Sequence, residues 1–577
     1  MAHINLSDAF AKSEFNGFGG IDLMETNSGS GGISDLKNFR VLADKSLKKR
    51  DGFAPILELP SGKLRASFVV SPQLLFMLIG SRLYKVDPKD RSYSQVQELE
   101  GSEKDACFFY YGNVLHLLDG SELYFYNGES FVATVGYVPL YANCWDTGTV
   151  GDVYEPPNCL SKRIRMKYRV ASDGLRTIIL PFSISSVDGA LVNGIAASSL
   201  EIRTDSAYDT YVSITKTYAV GSIIELFLTL KEPIAQRTEV TSCTRAETFG
   251  VGEGGVEPSS LAFYGGDDES KLFTTRHVDS EEMSRVLKFY PDASTIYFPT
   301  GQALNINADT GSITAAARSG SSLMVFAEKS AYILNEKESS KLIPISQTSG
   351  CEAKNGVIAF ENSPITISRN GIFRWSVSSL YDDEYTAKCI SMPINSLLFS
   401  TSTSALTAYH KSQNELWFYK LGDERVFIYN TLLDTWYTFD GFAPEQLFEL
   451  DGEMAFVSNQ RIYAFSPSQN ADVTPSGARP ISASVKSSII DFGSFNRHKR
   501  LARALLKCSP ASHFILRIYD SVGNETSVNL ADTNGERLGC IERRVGCKRS
   551  RYYSFSLSSE VIESDVLIYG ITLTAVK

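Results

Sequence analysis

The sequence predicts an all-β protein: a β-propeller of about six or seven blades, with an inserted β-sandwich and a C-terminal β-sandwich domain. Three observations predict this fold. Short apolar or aromatic runs recur in pairs around polar turns, the second run of each pair returns at a near-constant spacing, and two stretches of the chain break that spacing. Of the 577 residues, 43% are hydrophobic and 11% aromatic, which is enough for several large cores.

The recurring unit is a β-hairpin. Leu74 to Ile79 leads through a Gly80-Ser81-Arg82 turn into a second run at Leu83, and Val114 to Leu118 leads in the same way into Leu123. Further second runs begin every 41 to 46 residues, at Ala331, Ile372, Leu416 and Ile462. A period of about 40 to 50 residues with four short strands is typical of propeller blades, because a single blade buries its faces only against neighbouring blades.

Breaks in this spacing divide the chain. The chain leaves the repeat at Glu155 to Asn158 and returns to it at the glycine-rich Phe249 to Gly255. A polar linker follows the last blades, from Ser466 to Pro480. The predicted segments are an N-terminal arm with the first strands at 1–60, blades at 61–145, an inserted β-sandwich at 146–256, further blades at 257–470, and a C-terminal β-sandwich docking domain at 471–577.

The most specific local feature is the hairpin from Val426 to Phe439. Its turn, with Asp434 followed by Trp436, is similar to a kelch-type blade hairpin, in which the Asp closes the turn and the Trp packs between blades. The Gly-Gly pair of kelch blades is missing, so the similarity concerns propeller construction rather than kelch function.

Composition excludes several classes of protein. No apolar run has the length of a signal peptide or a membrane span, and nine scattered cysteines without a CxxC pair indicate reduced thiols. We therefore expect a soluble protein made in a cytoplasm, without a membrane anchor. The net charge of -10 argues against a general nucleic-acid coat, since phosphate binding requires a basic face.

The charge is unevenly distributed, because residues 471–577 hold 15 Lys and Arg against 10 Asp and Glu. Two basic clusters in this region could dock to an acidic neighbour subunit or to passing DNA, and solvated charge at strand ends is an equally good explanation. The candidate docking residues are Arg497, Lys499, Arg500, Arg503, Lys507, Arg543, Arg544, Lys548, Arg549 and Arg551.

Catalytic and metal-binding motifs are not evident. The chain has no GxSxG, HExxH or P-loop pattern, and its six histidines are scattered; His116, inside an apolar strand, is expected in the core. Asp267 to Glu269 and Asp382 to Glu384 lack the spaced oxygens and the Gly of a calcium loop. We expect no catalytic residue, no metal and no cofactor.

The N-terminal region carries a family resemblance. Gly19-Gly20-Ile21-Asp22 is followed by Asn38 and by a closing stretch that contains Lys49, Arg50 and Gly52. This opening resembles that of bacteriophage tail nozzle proteins, also called tail tubular protein B or packaged-DNA stabilization protein. The resemblance extends to the hairpin layout and to a basic C-terminal β-domain, whereas the insert departs from it.

The resemblance implies a structural virion protein of the phage tail, assembled in the host cytoplasm. It implies a homo-oligomeric ring, expected to be a hexamer, that extends the portal and adaptor channel and carries tail fibres or spikes. Genomic DNA would be retained and then conducted through the lumen without sequence-specific binding, and an acidic lining would let it slide. An N-terminal arm before the first blade fits a ring, because such an arm can reach a neighbour.

Two other readings stay open. Abundant Tyr and Phe also fit a carbohydrate-binding or glycoside-hydrolysing β-propeller, in which aromatic rings stack on sugars. Glycoside hydrolysis needs paired carboxylates at a cleft, and sequence spacing neither reveals nor excludes such a pair. A propeller scaffold for protein partners is the third reading.

Overall fold

In the computed structural model nearly all of the regular structure is β-strand. The structure describes residues 10–24, 32–99, 106–111, 114–119, 122–145, 150–153, 155–158, 160–171, 173–174, 177–197, 211–213, 216–234, 243–250, 270–276, 282–288, 296–297, 303–306, 311, 313–319, 322–334, 342–353, 356–361, 363–368, 370–377, 385–398, 404–509, 513–530, 539–559 and 566–576. Within these ranges the helical elements are two short 3-10 turns, Met392–Leu397 and Lys411–Gln413. No described helix is long and apolar enough to cross a membrane.

Seven sheets in the described ranges have the antiparallel strand order of a propeller blade, and we number them blades 1 to 7. Blade 1 consists of Leu64–Ser71, Leu74–Ile79, Arg82–Asp87 and Ser92–Glu98, and blade 2 of Cys107–Tyr111, Val114–Leu118, Leu123–Tyr126 and Phe131–Ala133. Blade 3 consists of Cys243–Gly250, Ser270–Arg276, Glu282–Lys288, Ile296–Tyr297 and Ala303–Asn305, and blade 4 of Ile313–Ser319, Ser322–Ala327, Ala331–Leu334 and Leu342–Ser346. Blade 5 consists of Val357–Phe360, Ser363–Ser368, Gly371–Val377 and Tyr385–Cys389, and blade 6 of Ala405–His410, Glu415–Lys420, Arg425–Asn430 and Thr435–Asp440. Blade 7 consists of Gln446–Leu450, Glu453–Ser458, Arg461–Ser466 and Gly52–Glu58.

The blades form a closed ring. Their first strands contact one another in order from blade 1 to blade 7, and the first strand of blade 7 contacts that of blade 1. Blade 7 takes its outer strand, Gly52–Glu58, from the N-terminal region, where it pairs with Arg461–Ser466. The all-β, propeller-containing fold that the sequence predicts is confirmed.

Packing within the ring explains the sequence pattern. All residues from Leu75 to Ile79 are buried, because both faces of a blade strand lie against neighbouring blades. His116 is fully buried and stacks on Phe109, with the ring centroids 5.3 Å apart. The Trp436 ring packs on Tyr429 and Phe418 of its own blade 6, and its indole donates a hydrogen bond to the carbonyl oxygen of Ile390, which follows the last strand of blade 5.

A separate sheet with its own core lies between blades 2 and 3 in the sequence. Its strands, in sheet order, are Val150–Val153, Leu140–Trp145, Arg163–Arg169, Ile223–Leu230, Ile184–Val192 and Ile195–Ala196, and Thr177–Ile179 pairs with Tyr211–Ser213 beside it. The predicted bounds of 146–256 differ from this arrangement. Leu140–Trp145 belongs to the insert because it pairs in parallel with Arg163–Arg169, and Cys243–Gly250 pairs within blade 3.

Two further sheets pack face to face as the terminal β-sandwich. The first contains Phe39–Val41, Leu47–Lys49, Leu567–Val576, Arg500–Ser509 and Gly539–Arg544, with Phe10–Phe15 paired to Leu567–Val576. The second contains Ala483–Ser487, Tyr553–Ser559, Phe514–Asp520 and Glu525–Leu530. The rings of Phe15 and Phe555 meet edge to face between the two sheets, 5.1 Å apart.

The second sheet of the sandwich is continuous with blade 6. Ile33–Lys37 pairs with Ala483–Ser487 on one side and with Thr435–Asp440 of blade 6 on the other, which gives one nine-stranded sheet. Two expectations are thereby corrected. Within the expected linker, Ala471–Thr474 and Gly477–Pro480 form a hairpin that packs on Gly52–Glu58. The described part of the N-terminal arm pairs with its own chain rather than extending from it.

Candidate docking surface and its buried joint

Residues of the N-terminal motif converge where the propeller meets the terminal sandwich. Arg50 lies at the centre of this region and is 2% exposed. Its guanidinium donates to both carboxylate oxygens of Asp472, at 2.8 and 2.6 Å, and to the carbonyl oxygens of Asp440 and Asp51, each at 3.0 Å. With the bond from Nε to the Asn38 side chain, at 2.9 Å, all five guanidinium donors are used.

Asn38 completes the same network. Its backbone has a φ of 56°, a left-handed conformation that Asn tolerates better than most residues. The side-chain amide donates to Asp440 Oδ1 at 2.5 Å and to the Ser482 carbonyl oxygen at 2.8 Å, and its oxygen accepts from the Asp440 backbone at 2.9 Å. Together these residues connect the N-terminal segment, blade 6 and the hairpin 471–480. We call them the joint: Asn38, Arg50, Gly52, Asp440 and Asp472.

The glycines of the motif differ in their structural roles. A Cβ on Gly52 would lie 2.2 Å from the Ala471 carbonyl oxygen, so only glycine allows this close backbone approach. Gly20 has a φ of 82°, and a Cβ there would lie 2.8 Å from the Trp436 carbonyl oxygen. Gly19 is exposed with open space around it, and nothing in the structure explains a glycine at this position.

A second buried ionic cluster lies beside the joint. Arg40 Nε donates to Glu415 Oε1 at 2.6 Å, and its Nη1 donates to Asp51 Oδ2 at 2.7 Å. Glu415 also accepts from the Tyr437 hydroxyl at 2.7 Å and from the Trp417 indole at 3.0 Å. Burial alone would raise the pKa of Glu415, but the charge and hydrogen bonds of Arg40 outweigh it and lower the pKa to about 2.

Lys49, the remaining motif residue, is a buried cation next to the joint. Burial, with a contribution from the neighbouring charge of Arg50, lowers the pKa of its ammonium to about 8. The side chains of Asn38 and Arg50 are buried and bond to groups of their own chain, so these two residues fix the geometry of the chain.

The predicted docking residues lie on two adjacent strands, Arg500–Ser509 and Gly539–Arg544, and on the chain segments next to them. We call the segments 497–507 and 543–551 the basic ribbon. They run antiparallel, with a bridge between Lys499 and Ser550 and a strand pair between Arg503 and Arg544. Gly539–Arg544 is the last strand of its sheet. Nine of the ten predicted docking residues are exposed or half-buried, and Lys499 is the exception. The nine are Arg497, Arg500, Arg503, Lys507, Arg543, Arg544, Lys548, Arg549 and Arg551.

Lys499 does not belong to the surface, and its assignment as a docking residue is wrong. Its side chain is fully buried, and its ammonium donates to the carbonyl oxygens of Ser494 and Arg551, the latter at 2.9 Å. Because the backbone bridges to Ser550 at this point, Lys499 faces inward while its neighbours in the sequence face solvent.

The ribbon carries uncompensated positive charge. Arg503 lies directly opposite Arg544 in the sheet register, and like charges in this position destabilise a strand pair. Within the described residues Arg503 forms an ion pair with Glu542 at 3.1 Å, whereas Arg500, Arg544, Arg549 and Arg551 form none. A partner surface with carboxylates or phosphates would relieve this repulsion.

A cavity of about 510 Å³ occupies the middle of the ring. First strands of blades 1, 2, 5, 6 and 7 line it, with polar groups from Arg65, Ser67, Thr407, Tyr409 and Gln446. None of its described lining residues is Asp or Glu. Among the described residues there is also no group of three His, Cys, Asp or Glu side chains that could hold a metal ion. The acidic stretches Asp267 to Glu269 and Asp382 to Glu384 both lie outside the described residues.

No protein-family model matches the chain, and no curated protein matches it. Among solved structures, the β-propeller domain of Cps50 (Swd1) from Myceliophteria thermophila is similar, with 9% identity over 72% of this chain and 99% of that chain and a TM-score of 0.34. The AfRom2 CNH domain has 6% identity with the same two coverages and a TM-score of 0.34. An exo-β-1,3-galactanase from Phanerochaete chrysosporium has 7% identity over 53% of this chain and 78% of that chain, with a TM-score of 0.17. Likenesses at this level assign no function to the chain.

Sequence reasoning missed the acidic partners of the joint and of the cluster beside it. Asp472 is 422 positions from Arg50, and Glu415 is 375 positions from Arg40. The sequence signal for buried acidic partners was local: the cations Arg40, Lys49 and Arg50 lie in or next to short apolar runs that are buried in the structure.

Proposed function

We propose that the chain is a structural virion protein: a tail nozzle or hub subunit that forms a ring, extends the portal and adaptor channel, retains packaged DNA and conducts it during ejection. The joint is the observation that supports this proposal most. Most residues of the nozzle-like motif, including Asn38, Arg50 and Gly52, hold the N-terminal segment between the propeller and the terminal sandwich. A subunit under load from packaged DNA needs such a fixed connection between its units.

The charge distribution supports assembly through the terminal sandwich. The basic ribbon is exposed, and the rest of the chain is acidic enough to give a net charge of -10 overall. A neighbouring subunit or an adaptor ring with an acidic face would complement the ribbon and would be attracted over a Debye length of about 8 to 10 Å. The expected partners are further copies of this chain, the portal and adaptor ring, and tail fibres or spikes.

Glycoside hydrolysis receives less support from the central cavity. That reaction uses a pair of carboxylates on either side of the scissile bond, and the described cavity lining has none. Carbohydrate binding without hydrolysis is the alternative that an experiment must separate from the nozzle proposal.

Light scattering after size-exclusion chromatography, together with negative-stain microscopy, tests the proposal. We expect rings, either from the protein alone or after addition of a portal–adaptor complex. The double substitution Arg500→Glu and Arg503→Glu should abolish ring formation, while Lys85→Glu and Lys89→Glu, at exposed sites on and beside blade 1, should not. A protein that stays monomeric with the complex present and binds or cleaves glycans would overturn the proposal.

A further inference from the structure

The turn between the first two strands of blade 6 brings a hydroxyl, an imidazole and a carboxylate together. His410 ends the strand Ala405–His410, Ser412 lies in the 3-10 turn Lys411–Gln413, and Glu415 begins the next strand. Asn414, with a φ of 53°, reverses the chain so that His410 and Glu415 pair directly across the two strands.

The three side chains are in hydrogen-bonding order. Ser412 Oγ lies 2.9 Å from His410 Nε2, and His410 Nδ1 lies 3.4 Å from Glu415 Oε2. His410 and Glu415 are each 1% exposed, whereas Ser412 is exposed to solvent. A nucleophile within reach of a base that is itself oriented by a third group is the signature of an activated side chain.

The carboxylate of Glu415 lies next to one of the two ring nitrogens of His410, Nδ1. Arg40 bonds to both oxygens of Glu415, at 2.6 and 3.3 Å, and keeps this carboxylate ionised. A carboxylate only accepts hydrogen bonds, so it favours the tautomer of His410 with the proton on Nδ1. Nε2 then presents its lone pair to the Ser412 hydroxyl, as a general base must.

Blade 7 supplies a further group for the protonated ring. The Gly452 carbonyl oxygen lies 3.1 Å from His410 Nε2 and 3.0 Å from Ser412 Oγ. In the resting state this carbonyl oxygen accepts a hydrogen bond from the Ser412 hydroxyl, and rotation about the Cβ–Oγ bond turns the same proton towards Nε2. Once that proton has moved to Nε2, the same carbonyl accepts from the imidazolium, and the Glu453 carboxylate, 3.9 Å from Nε2, adds an attractive charge.

We propose that Ser412 is an activated nucleophile for acyl transfer, with His410 as general base and Glu415 as a positioning residue. Ser412 Oγ bonds to the carbonyl carbon of an ester while its proton passes to His410 Nε2. That proton then goes to the departing alcohol oxygen as the ester C–O bond breaks, which leaves an acyl group on Ser412. Water attacks the acyl group by the same route and releases a carboxylic acid.

The position of Ser412 indicates the substrate class. An exposed turn suits an ester-linked acyl group that projects from a larger molecule, such as an O-acylated polymer, better than a small molecule that needs an enclosing pocket. This activity is additional to the proposed structural role and does not depend on it.

Covalent labelling of the full-length protein with diisopropyl fluorophosphate tests the proposal. We expect one adduct on Ser412 by intact mass and peptide mapping, and no adduct after Ser412→Ala. Ser468→Ala removes an exposed turn serine without a neighbouring histidine and should leave the labelling unchanged. Hydrolysis of p-nitrophenyl acetate should fall by about 100-fold or more in Ser412→Ala and in His410→Asn.

A thiol at the same place gives a second measurement that does not require His410→Asn to fold. In Ser412→Cys, the new thiol should react with iodoacetamide faster than Cys540, an exposed cysteine of the same chain, because a neighbouring imidazole favours the thiolate. If the hydrogen bond between Ser412 and His410 is only structural, Ser412 should form no adduct. The thiol of Ser412→Cys should then be alkylated no faster than Cys540. Either result would overturn the proposal.

Discussion

Arg50 and Asp472 form a bidentate ion pair inside the joint although 422 positions separate them in the sequence. Their side chains are 1% and 7% exposed, and four phenylalanine rings lie within 6.0 Å of the guanidinium carbon. Arg50 follows the first sheet of the sandwich, and Asp472 lies in the hairpin after blade 7. The pair therefore holds together the two regions that flank the propeller in the sequence.

Removing the cation of this pair should strongly destabilise the protein. Arg50→Met leaves the Asp472 carboxylate buried without its partner, and we expect the free energy of unfolding to fall by about 3 to 5 kcal/mol. Urea unfolding monitored by tryptophan fluorescence measures the change. Arg82→Met, which breaks the exposed pair with Glu98, should have a much smaller effect, and equal losses in the two variants would contradict the importance of the joint.

A methyl group on Gly52 should disturb the joint by overlap. The added Cβ of Gly52→Ala would meet the backbone of Ala471, which belongs to a hairpin and cannot move alone, so we expect a loss of roughly 1 to 3 kcal/mol. Limited proteolysis should cut the hairpin 471–480 faster than in the parent protein. Gly19→Ala, at a position with open space, serves as the control and should leave both properties unchanged.

Acid should weaken the cluster around Glu415. Its pKa is lowered from 4.5 to about 2 in the folded protein, so the folded state binds this proton less readily than the unfolded state does. The stability from ionised Glu415 is therefore fully present above about pH 4.5 and is lost as the pH falls towards about 2. Thermal unfolding across this range should show a shallower pH dependence for Glu415→Gln than for the parent protein.

The control for this prediction is Glu361→Gln, since the side chain of Glu361 is 69% exposed. Its pH dependence should follow that of the parent protein. If Glu415→Gln instead shifts the whole curve without changing its slope, the ionisation of Glu415 contributes nothing to stability in acid.

Local patterns made the propeller predictable. The Gly80 turn joins two strands in register, with Ile79 opposite Arg82, and Gly80 has the positive φ that such a turn needs. Asp434 likewise takes a φ of 52° in the turn before Trp436, and it accepts a hydrogen bond from the Tyr429 hydroxyl. These features depend on neighbours within a few residues, and the sequence displays them directly.

Long-range pairing was not predictable in the same way. The N-terminal strands join three different sheets, and no spacing in one sequence reveals that Ile33–Lys37 lies between blade 6 and Ala483–Ser487. Lys499 illustrates the same limit at one residue. It belongs to a run of cations, yet a single backbone bridge turns it inward, and composition cannot indicate which member of a charged run is buried.

Assembly through the basic ribbon should depend on salt. Raising the ionic strength from about 0.05 to 0.5 M shortens the Debye length and should shift rings towards monomers, because exposed charges at the ribbon are screened. Arg549→Ala with Arg551→Ala should lower both the ring fraction and its salt sensitivity in sedimentation-velocity experiments, since neither arginine has an acidic partner among the described residues. Lys63→Ala with Lys89→Ala removes the same charge from the propeller side and should preserve both. Rings whose stability in the ribbon variant matches the parent at every salt concentration would show that the ribbon takes no part in assembly.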